Sequence, residues 1–289
     1  MTLAQALLYG TVRLRRHRCP GSMPDKEAEL LLSHAAGLAP EKIFADIERL
    51  LDKRSERRFK NLIARRGKHE PLAYIVGSAW FRGLEFEVSS DTLIPRPATE
   101  LIVDAAIDEV GRIGADLAVD VGTGSGCIAA SLASALPGIA VIATDVSSAA
   151  LRLAKKNAAR HGVAGRIMFR KGGLIAPARA AMRTSKAAVI VANLPYIPTA
   201  EVRKLSSDVK NFEPRMALDG GNDGLEYYYK IIGGAAALPS KFVIIFEILP
   251  KQYRPLAAFM KQKLPGIETG KILNHQGVTI GFRAYGTTM

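Results

Sequence analysis

The chain has 289 residues, which at roughly 150 residues per domain suggests one large domain or two smaller ones. Hydrophobic residues make up 48% of it, charged residues make up 23%, and the formal net charge is +13, so a disordered, collagen-like or mucin-like chain is excluded. No apolar run reaches the ~18 residues that a membrane span needs. Cys19 and Cys127 are too few for a disulfide scaffold and lack metal-ligand spacing, so we expect a cytoplasmic protein.

The first quarter of the chain has the apolar spacing of helices. Four helical segments are predicted: around residues 3–8, at 24–37, at 43–51 and around 59–63. Aromatic, β-branched and glycine residues then mix over residues 74–88, as is typical of a short hairpin. We therefore expect a helical domain over residues 1–75, a hairpin and linker over 76–98, and a larger domain over 99–289.

From residue 116 onward, strand-like and helix-like segments alternate. The predicted strands are residues 117–121, 140–144, 167–169, 187–192 and 242–248. The predicted helices are residues 128–136, 147–161, 225–238 and 251–264, and an antiparallel pair near residues 272 and 278–282 closes the series. This alternation predicts the α/β class, with a mostly parallel, doubly wound sheet and helices on both of its faces.

Positive charge is concentrated in one part of the chain, residues 152–186, which we call the basic segment. No acidic residue occurs between Asp145 and Glu201, whereas ten basic residues do. They are Arg152, Lys155, Lys156, Arg160, Arg166, Arg170, Lys171, Arg179, Arg183 and Lys186. Two interpretations stay open: contact with RNA or a ribonucleoprotein, or a solvated face. The arginines within residues 1–20 similarly fit either a targeting segment or an ordinary first helix.

A glycine-rich turn follows the strand predicted at residues 117–121. Gly122, Gly124 and Gly126 lie before a helix, where glycine lets a ligand approach the backbone and free N–H groups are available. Asp145 ends the next strand, 23 residues after Gly122, and an acid there can bind both hydroxyls of a ribose. A dinucleotide fingerprint needs glycine at the position of Cys127, so the spacing resembles that of class I S-adenosylmethionine-dependent methyltransferases. A tight turn needed only for packing is the alternative.

The tetrapeptide at residues 193–196 follows the strand predicted at 187–192, at the edge of the sheet where ligands bind. Its residue types suit methylation of a planar NH2 group, whose nitrogen is a poor nucleophile. The Asn193 side-chain oxygen and the Leu194 carbonyl can each accept one N–H of such a group, and Tyr196 can stack on its plane. The rate gain would come mostly from positioning and electrostatic complementarity. A proline-containing turn after a strand is the alternative.

Three blocks of sequence together resemble the peptide-chain release factor glutamine N5-methyltransferases, the HemK/PrmC-type family. They are PLAYIVG at 71–77 leading to LIPRPATE at 93–100, the glycine loop with Asp145, and NLPYI at 193–197 leading to FEPRMALDGGNDGL at 212–225. Glu247 and Gln252 also match, and the similarity covers residues 25–255. The resemblance implies a class I S-adenosylmethionine-dependent methyltransferase fold with a seven-stranded sheet, behind a small helical domain that helps to bind the release factor. It also implies S-adenosyl-L-methionine as cofactor and methylation of the glutamine amide in the release factor's Gly-Gly-Gln tripeptide.

Three positions depart from the family pattern. Leu194 stands where the family has the first proline of Asn-Pro-Pro-Tyr, and Asn-Leu-Pro-Tyr is also what ribosomal RNA adenine dimethyltransferases have. Gly173 stands where an aspartate would accept from the adenine amine, and Ala188 where an aspartate precedes Asn193 by five residues. The alternatives for this chain are an N6-adenine RNA or DNA methyltransferase, a small-molecule N-methyltransferase, or a non-catalytic ribosome-associated binding protein.

The candidate site consists of overlapping sets of residues. We expect catalysis from Asn193, Pro195 and Tyr196, and substrate binding from these three with Leu194. The expected cofactor-binding residues are Gly122, Thr123, Gly124, Ser125, Gly126, Asp145, Leu174 and Asn193. The five histidines lack metal-ligand spacing, so we expect no metal. We expect a monomer with no membrane contact, whose partner is a release factor and whose basic segment is a candidate for RNA or ribosome contact.

Overall fold

The computed structural model describes residues 1–234, 238–239 and 241–287, and the chain forms two compact units. The helical unit comprises Met1–Ser78 together with Leu205–Glu213, and the sheet unit comprises Ala79–Lys204 and Pro214–Met289. The sequence places residues 205–213 in the larger domain, but they pack with the helical unit. The finer division into residues 1–75, 76–98 and 99–289 stays a prediction.

The helical unit is a set of amphipathic helices around one apolar core. Its helices are α1 (Leu3–His17), α2 (Pro24–Ala36), α3 (Pro40–Ala45), α4 (Lys53–Gly67), α5 (Leu72–Val76) and, from residues 205–213, α11 (Ser207–Phe212). Leu14, Leu31 and Phe59 are fully buried in this core. Arg66 donates from Nε and Nη2 to the two carboxylate oxygens of Glu27 at 2.9 and 3.1 Å, and both side chains are buried.

The predicted helix over residues 43–51 is wrong beyond Ala45. Residues 46–51 instead run beside the start of α1, where Leu3 N donates to Arg49 O at 3.0 Å and Ala4 N donates to Ile47 O at 2.9 Å. The first N–H groups of a helix have no partner within the helix, so these carbonyls satisfy donors that would otherwise be left without one.

The other elements carry the larger fold. The strands are β1 (Ser78–Phe81), β2 (Leu84–Glu87), β3 (Leu117–Val121), β4 (Ala140–Asp145), β5 (Ile167–Lys171), β6 (Ala188–Ala192), β7 (Lys241–Glu247), β8 (Glu268–Leu273) and β9 (Thr279–Thr287). The helices are α6 (Pro97–Ile113), α7 (Cys127–Ala135), α8 (Ser148–Arg160), α9 (Arg179–Thr184), α10 (Thr199–Val202), α12 (Glu226–Gly233) and α13 (Tyr253–Lys263). No helix in the described part of the chain is long and apolar enough to cross a membrane.

Seven strands form one sheet in the order β5-β4-β3-β6-β7-β9-β8, and β1 pairs with β2 in a separate hairpin. Strands β3 to β7 are parallel to one another, whereas β9 is antiparallel to both β7 and β8. The predicted mostly parallel sheet and its closing antiparallel pair are therefore confirmed.

Side chains of the central strands alternate between two apolar cores, one on each face of the sheet. On β7, Ile244 and Phe246 join a cluster with α12 and α13, whereas Val243 and Ile245 join a cluster with α6 and α7. All five residues of β3 and of β6 are buried, as expected for strands covered on both faces.

Several predicted boundaries change. The hairpin begins at Ser78 rather than at residue 74, because residues 72–76 form α5 and Gly77 ends it in the left-handed conformation, with φ 81°. The helix predicted at residues 225–238 is α12, which ends at Gly233; residues 235–237 of that prediction lie outside the described residues.

Candidate active site

The parallel register brings the ends of three strands together. Val121 of β3 lies beside Thr144 of β4 on one side and Ala192 of β6 on the other. The next residues along the chain, including Gly122 and Asn193, therefore meet at the carboxyl edge of the sheet, together with Asp145. A cavity of 270 Å³ opens there, which is where open α/β sheets bind their ligands.

The glycine loop joins β3 to α7 in a tight conformation. Gly126 has φ 82°, and a Cβ added to it would lie 2.9 Å from Ala154 of α8, so a larger residue would clash as well as strain the backbone. Asn157 of α8 is fully buried, and its Nδ2 donates to Ser125 O at 2.8 Å and to Glu87 O at 2.9 Å. The loop is thus packed on α8 and tied through Asn157 to the hairpin.

Asp145 holds the backbone on both sides of the cavity. Gly124 N donates to its Oδ2 at 3.0 Å, and Ser147 N donates to its Oδ1 at 2.8 Å. Each carboxylate oxygen keeps a lone pair after these bonds, because a carboxylate offers about four acceptor sites. Asp145 lines the cavity, so those remaining sites are available to hydroxyl groups of a ligand.

Leu174 forms part of the cavity wall in an unusual backbone conformation. Its φ is 50°, in the left-handed region, which costs a residue with a side chain about 1–2 kcal/mol. The Thr144 hydroxyl donates to the Leu174 carbonyl at 2.9 Å and holds this turn in place. Strained residues of this kind are concentrated at binding sites.

Asn193 is held by a chain of hydrogen bonds that leads into the core. Its Nδ2 donates to Thr99 Oγ1 at 2.9 Å, and Thr99 Oγ1 donates to Glu247 Oε2 at 2.5 Å. The Tyr196 hydroxyl donates to the other oxygen of Glu247 at 2.9 Å. Thr99 and Glu247 are buried, and burial raises the pKa of Glu247 while the bonds from Thr99 and Tyr196 oppose that rise.

The backbone after Asn193 is also fixed. A Cβ added at Gly122 would lie 2.7 Å from Leu194 Cδ2, so the Leu194 side chain packs directly on the glycine loop. The Tyr228 hydroxyl lies 2.5 Å from Glu247 O and 3.2 Å from Leu194 O. Because a carbonyl oxygen has two lone pairs, Leu194 O keeps at least one of them for a ligand whichever carbonyl receives the Tyr228 proton. Gln252 Nε2 donates to Tyr196 O at 2.7 Å.

The structure brings most of the predicted site residues together, but not all of them. Those that line the cavity are Gly122, Gly124, Asp145, Leu174, Asn193, Leu194 and Pro195. Four predicted site residues are not among the described residues that line the cavity: Thr123, Ser125, Gly126 and Tyr196. Thr123 turns inward and donates to Asp120 Oδ2 at 2.6 Å, because that buried carboxylate needs a donor.

Residues without a role in the sequence-based prediction complete the site. Thr92, Leu93, Met216 and Tyr227 line the cavity, and Thr99 and Glu247 support Asn193. The only signal for Thr99 and Glu247 is their place in the family blocks, since they lie 94 residues before and 54 residues after Asn193.

Two buried groups beneath the glycine loop have displaced pKa values. Burial raises the pKa of Asp120 to about 7, against the opposing bond from Thr123. Burial likewise raises the pKa of the Cys127 thiol to about 12, so this cysteine stays protonated and is not a nucleophile at neutral pH. No cluster of three or more potential metal-ligating side chains occurs within residues 1–234, 238–239 and 241–287.

The fold and the cavity define the class of protein. A methyltransferase domain model matches residues 118–212. The human Mettl16 catalytic domain, solved with an RNA hairpin of the MAT2A 3'UTR, superposes with a TM-score of 0.54 at 18% identity, over 71% of this chain and 76% of that one, and supports the fold alone. The sheet unit is a methyltransferase domain with the class I, Rossmann-like fold.

The relatives in sequence narrow the class to one family. A PrmC N-terminal domain model matches residues 5–77. The release factor glutamine methyltransferase of Moorella thermoacetica is 42% identical over 238 residues, 82% of each chain, and that of Geobacter sulfurreducens is 42% identical over 72% of this chain and 71% of its own. The chain belongs to the release factor glutamine methyltransferase family.

Proposed function

We propose that this protein transfers the methyl group of S-adenosyl-L-methionine to the side-chain amide nitrogen of the glutamine in the Gly-Gly-Gln motif of peptide-chain release factors. The observation that carries the proposal is the position of Asn193. Its anchored side chain and Leu194 line the same cavity as Asp145 and the glycine loop. We further propose that the protein acts as a monomer in the cytoplasm.

The residues of the cavity fit the proposed cofactor. Asp145 retains acceptor sites for two ribose hydroxyls, and the apolar Val146 and Leu174 beside it suit an adenine. Asp120 Oδ1 is buried, and no described residue donates to it. An unsatisfied acceptor below the glycine loop is a place for the ammonium of the cofactor or for a water that contacts it. When bound, S-adenosylmethionine supplies a methyl group on a positively charged sulfur.

Two acceptors of this chain can orient the substrate amide. Asn193 Oδ1 would accept one N–H of the glutamine NH2 and the Leu194 carbonyl would accept the other, which directs the nitrogen toward the methyl group. Holding both reacting groups in this way reduces the entropic part of the barrier. We propose that Pro195 shapes the loop and that Tyr196, which does not line the cavity but is only partly buried, packs against the substrate amide.

Among the described residues around Asn193, no group is suited to remove a proton before transfer. Burial and the neighbouring Glu247 raise the pKa of Tyr196 above its usual value, so its hydroxyl remains protonated. Both oxygens of Glu247 already accept hydrogen bonds. The amide nitrogen loses its proton to water once it has gained the methyl group and positive charge, so no base is required.

The test is methyl transfer from tritium-labelled S-adenosylmethionine to a purified release factor. We expect label in the wild-type factor and none in a factor whose Gly-Gly-Gln glutamine is replaced by alanine. Asn193→Ala should lower kcat by about two to three orders of magnitude, by analogy with the loss of one preorganised polar contact. Cofactor affinity should change much less.

The matched control is Asn274→Ala, which removes another hydrogen-bonded asparagine, in the turn between β8 and β9. It should methylate at the wild-type rate. Ribosomal RNA and total cell protein are assayed beside the release factor, and label that appears in RNA instead would contradict the proposed substrate. Near-normal kcat of Asn193→Ala would exclude the role given to this side chain.

RNA contact through the basic segment is a second part of the proposal. Seven of its ten basic residues are exposed and have no acidic partner among the described contacts: Arg152, Lys155, Arg170, Lys171, Arg179, Arg183 and Lys186. Positive side chains without such partners favour an anionic surface.

A further inference from the structure

Thr99 and Glu247 have no role in the proposed chemistry, yet they hold the side chain on which it depends. We infer that Thr99, oriented by the buried carboxylate of Glu247, is a positioning residue that decides which end of the Asn193 amide faces the substrate. This inference rests on the proposed function, because the orientation matters only for a site that must accept an N–H.

The direction of each hydrogen bond follows from the chemistry of the groups. Glu247 accepts on both oxygens, from Thr99 on Oε2 and from Tyr196 on Oε1. Thr99 has one hydroxyl proton, and it is given to Glu247, so toward Asn193 the Thr99 oxygen can only accept. The group of Asn193 at 2.9 Å from Thr99 must therefore be the NH2.

Fixing the nitrogen fixes the oxygen. Because the two ends of an amide lie on opposite sides of its carbon, binding Nδ2 to Thr99 turns Oδ1 away from it, and Asn193 lines the cavity. A flipped amide would present NH2 to the substrate NH2, and two donors cannot bind each other. Only one of the two orientations of Asn193 is then productive for methyl transfer.

The arrangement is costly to build and specific in its geometry. Glu247 is 3% exposed and Thr99 is 1% exposed, and burying a carboxylate is unfavourable unless it is well hydrogen-bonded. A valine in place of Thr99 would fill a similar volume and would leave Glu247 with only one of these two donors. The buried carboxylate thus acts on the substrate indirectly, through Thr99 and Asn193.

The first experiment compares Thr99→Val with Thr99→Ser in methyl transfer to the release factor. Thr99→Val should lower kcat about tenfold with KM for the cofactor unchanged within about twofold, because Asp145 and the glycine loop are untouched. Thr99→Ser keeps the hydroxyl and should restore most of the lost kcat. Thr279→Val, at another buried threonine at the start of β9, is the matched control and should keep wild-type kcat.

A double-mutant cycle separates positioning from a general structural role. Once Asn193 is alanine no amide is left to orient, so Thr99→Val should cause no further loss in the Asn193→Ala background, within about twofold. Losses that multiply in the double variant would overturn the inference. If Thr99→Val does not fold, as judged by its melting temperature, Thr99→Ala enters the same cycle.

The last readout needs no substrate. In a spectrum of ¹⁵N-asparagine-labelled protein, the side-chain NH2 signal of Asn193 is assigned by its absence in Asn193→Ala. One of its two protons should be shifted downfield in the wild type and in Thr99→Ser, and that shift should be lost in Thr99→Val. An unchanged signal in Thr99→Val would overturn the inference even if release-factor methylation succeeds. If the wild type does not methylate the release factor, that result counts against the proposed function. The NH2 signal of Asn193 then still decides whether Thr99 orients the Asn193 amide.

Discussion

Gly173 lies between two residues of the cavity wall, Gly172 and Leu174, at the position where the resemblance to the family implies an aspartate. A Cβ built on Gly173 has no heavy atom of the described chain within 4 Å, and its φ is outside the left-handed region. Gly173→Asp should therefore be accommodated, and it should tighten binding of S-adenosylmethionine about fivefold through one added hydrogen bond from the adenine amine. Calorimetric titration measures the change.

The matched control for this substitution is Gly165→Asp. That glycine also has open space at its Cβ position, and it lies before β5, at the opposite end of that strand from the cavity. It receives the same charge and should leave cofactor affinity unaltered. If Gly173→Asp binds S-adenosylmethionine no more tightly than the wild type does, the turn follows a different backbone path. Gly173 then does not correspond to the aspartate that the resemblance implies.

At the scale of residues, the sequence predicts a site residue best where that residue lies next to a recognisable strand. Gly122, Asp145 and Asn193 are predictable because each directly follows or ends a buried parallel strand. The family blocks include Thr99 and Glu247 but do not reveal their role, because it arises only from contacts across the fold. Thr123 looks like a cofactor residue from its place in the loop, but its hydroxyl satisfies the buried Asp120 instead.

The basic segment is the element whose surroundings change its interpretation most. The acids it lacks in sequence are supplied in part by β2, where Glu87 pairs with Lys156 at 2.5 Å and Glu85 pairs with Arg160. Arg166 donates to the Leu136 carbonyl at 3.2 Å. These three side chains already have partners within the protein, so the other seven basic residues are the ones available to a partner molecule.

Charge reversal on the exposed part tests the two interpretations of the basic segment. We expect the variant with Arg152→Glu, Lys155→Glu and Arg183→Glu to bind RNA more weakly than the wild type, and to show a shallower loss of binding with salt, because fewer counterions are released. The matched variant with Arg254→Glu, Lys261→Glu and Lys263→Glu, all exposed and on or ending α13, carries the same net charge. Filter retention across a salt series measures both.

Equal RNA binding by the two charge-reversal variants would identify the segment as a solvated face. Methyl transfer to the release factor is followed in the same samples. If the first variant also loses transfer while keeping cofactor affinity, the segment contacts the release factor rather than RNA.

At the scale of the whole molecule, the hydrophobic pattern predicts a mostly parallel sheet with helices on both of its faces. The observed strand order is consistent with that arrangement. The buried runs that become β3, β6 and β7 are continuous in sequence, and β8 and β9 form the predicted antiparallel pair. Residues 205–213 could not be assigned in this way, because a six-residue helix has too short a pattern to reveal which core it joins. The short α9, α10 and α11 were hidden for the same reason.

Ligand binding should stabilise the whole protein, since the cofactor is proposed to bind the folded cavity alone. At a concentration 100 times its Kd, a ligand adds about 2.7 kcal/mol to the free energy of unfolding. In a domain of this size that corresponds to a rise in Tm of about 5–10 °C. We therefore expect S-adenosylmethionine to raise the Tm by this amount in scanning calorimetry, and a nicotinamide dinucleotide to leave it unchanged.

Asp145→Ala should remove most of that stabilisation. Loss of a charge-assisted hydrogen-bond acceptor weakens binding by about 1.5–3 kcal/mol, and the bonds that Gly124 and Ser147 donate to this carboxylate are lost as well. Asp116→Ala is the matched control, because Asp116 accepts from Lys186 N at 3.1 Å at the opposite edge of the sheet. Both variants should unfold at a lower temperature than the wild type without ligand, but only Asp116→Ala should keep the full rise with S-adenosylmethionine. A full rise in Asp145→Ala, or a larger rise with the nicotinamide dinucleotide, would contradict the cofactor assignment, since the ribose-binding acid would then be elsewhere or the ligand different.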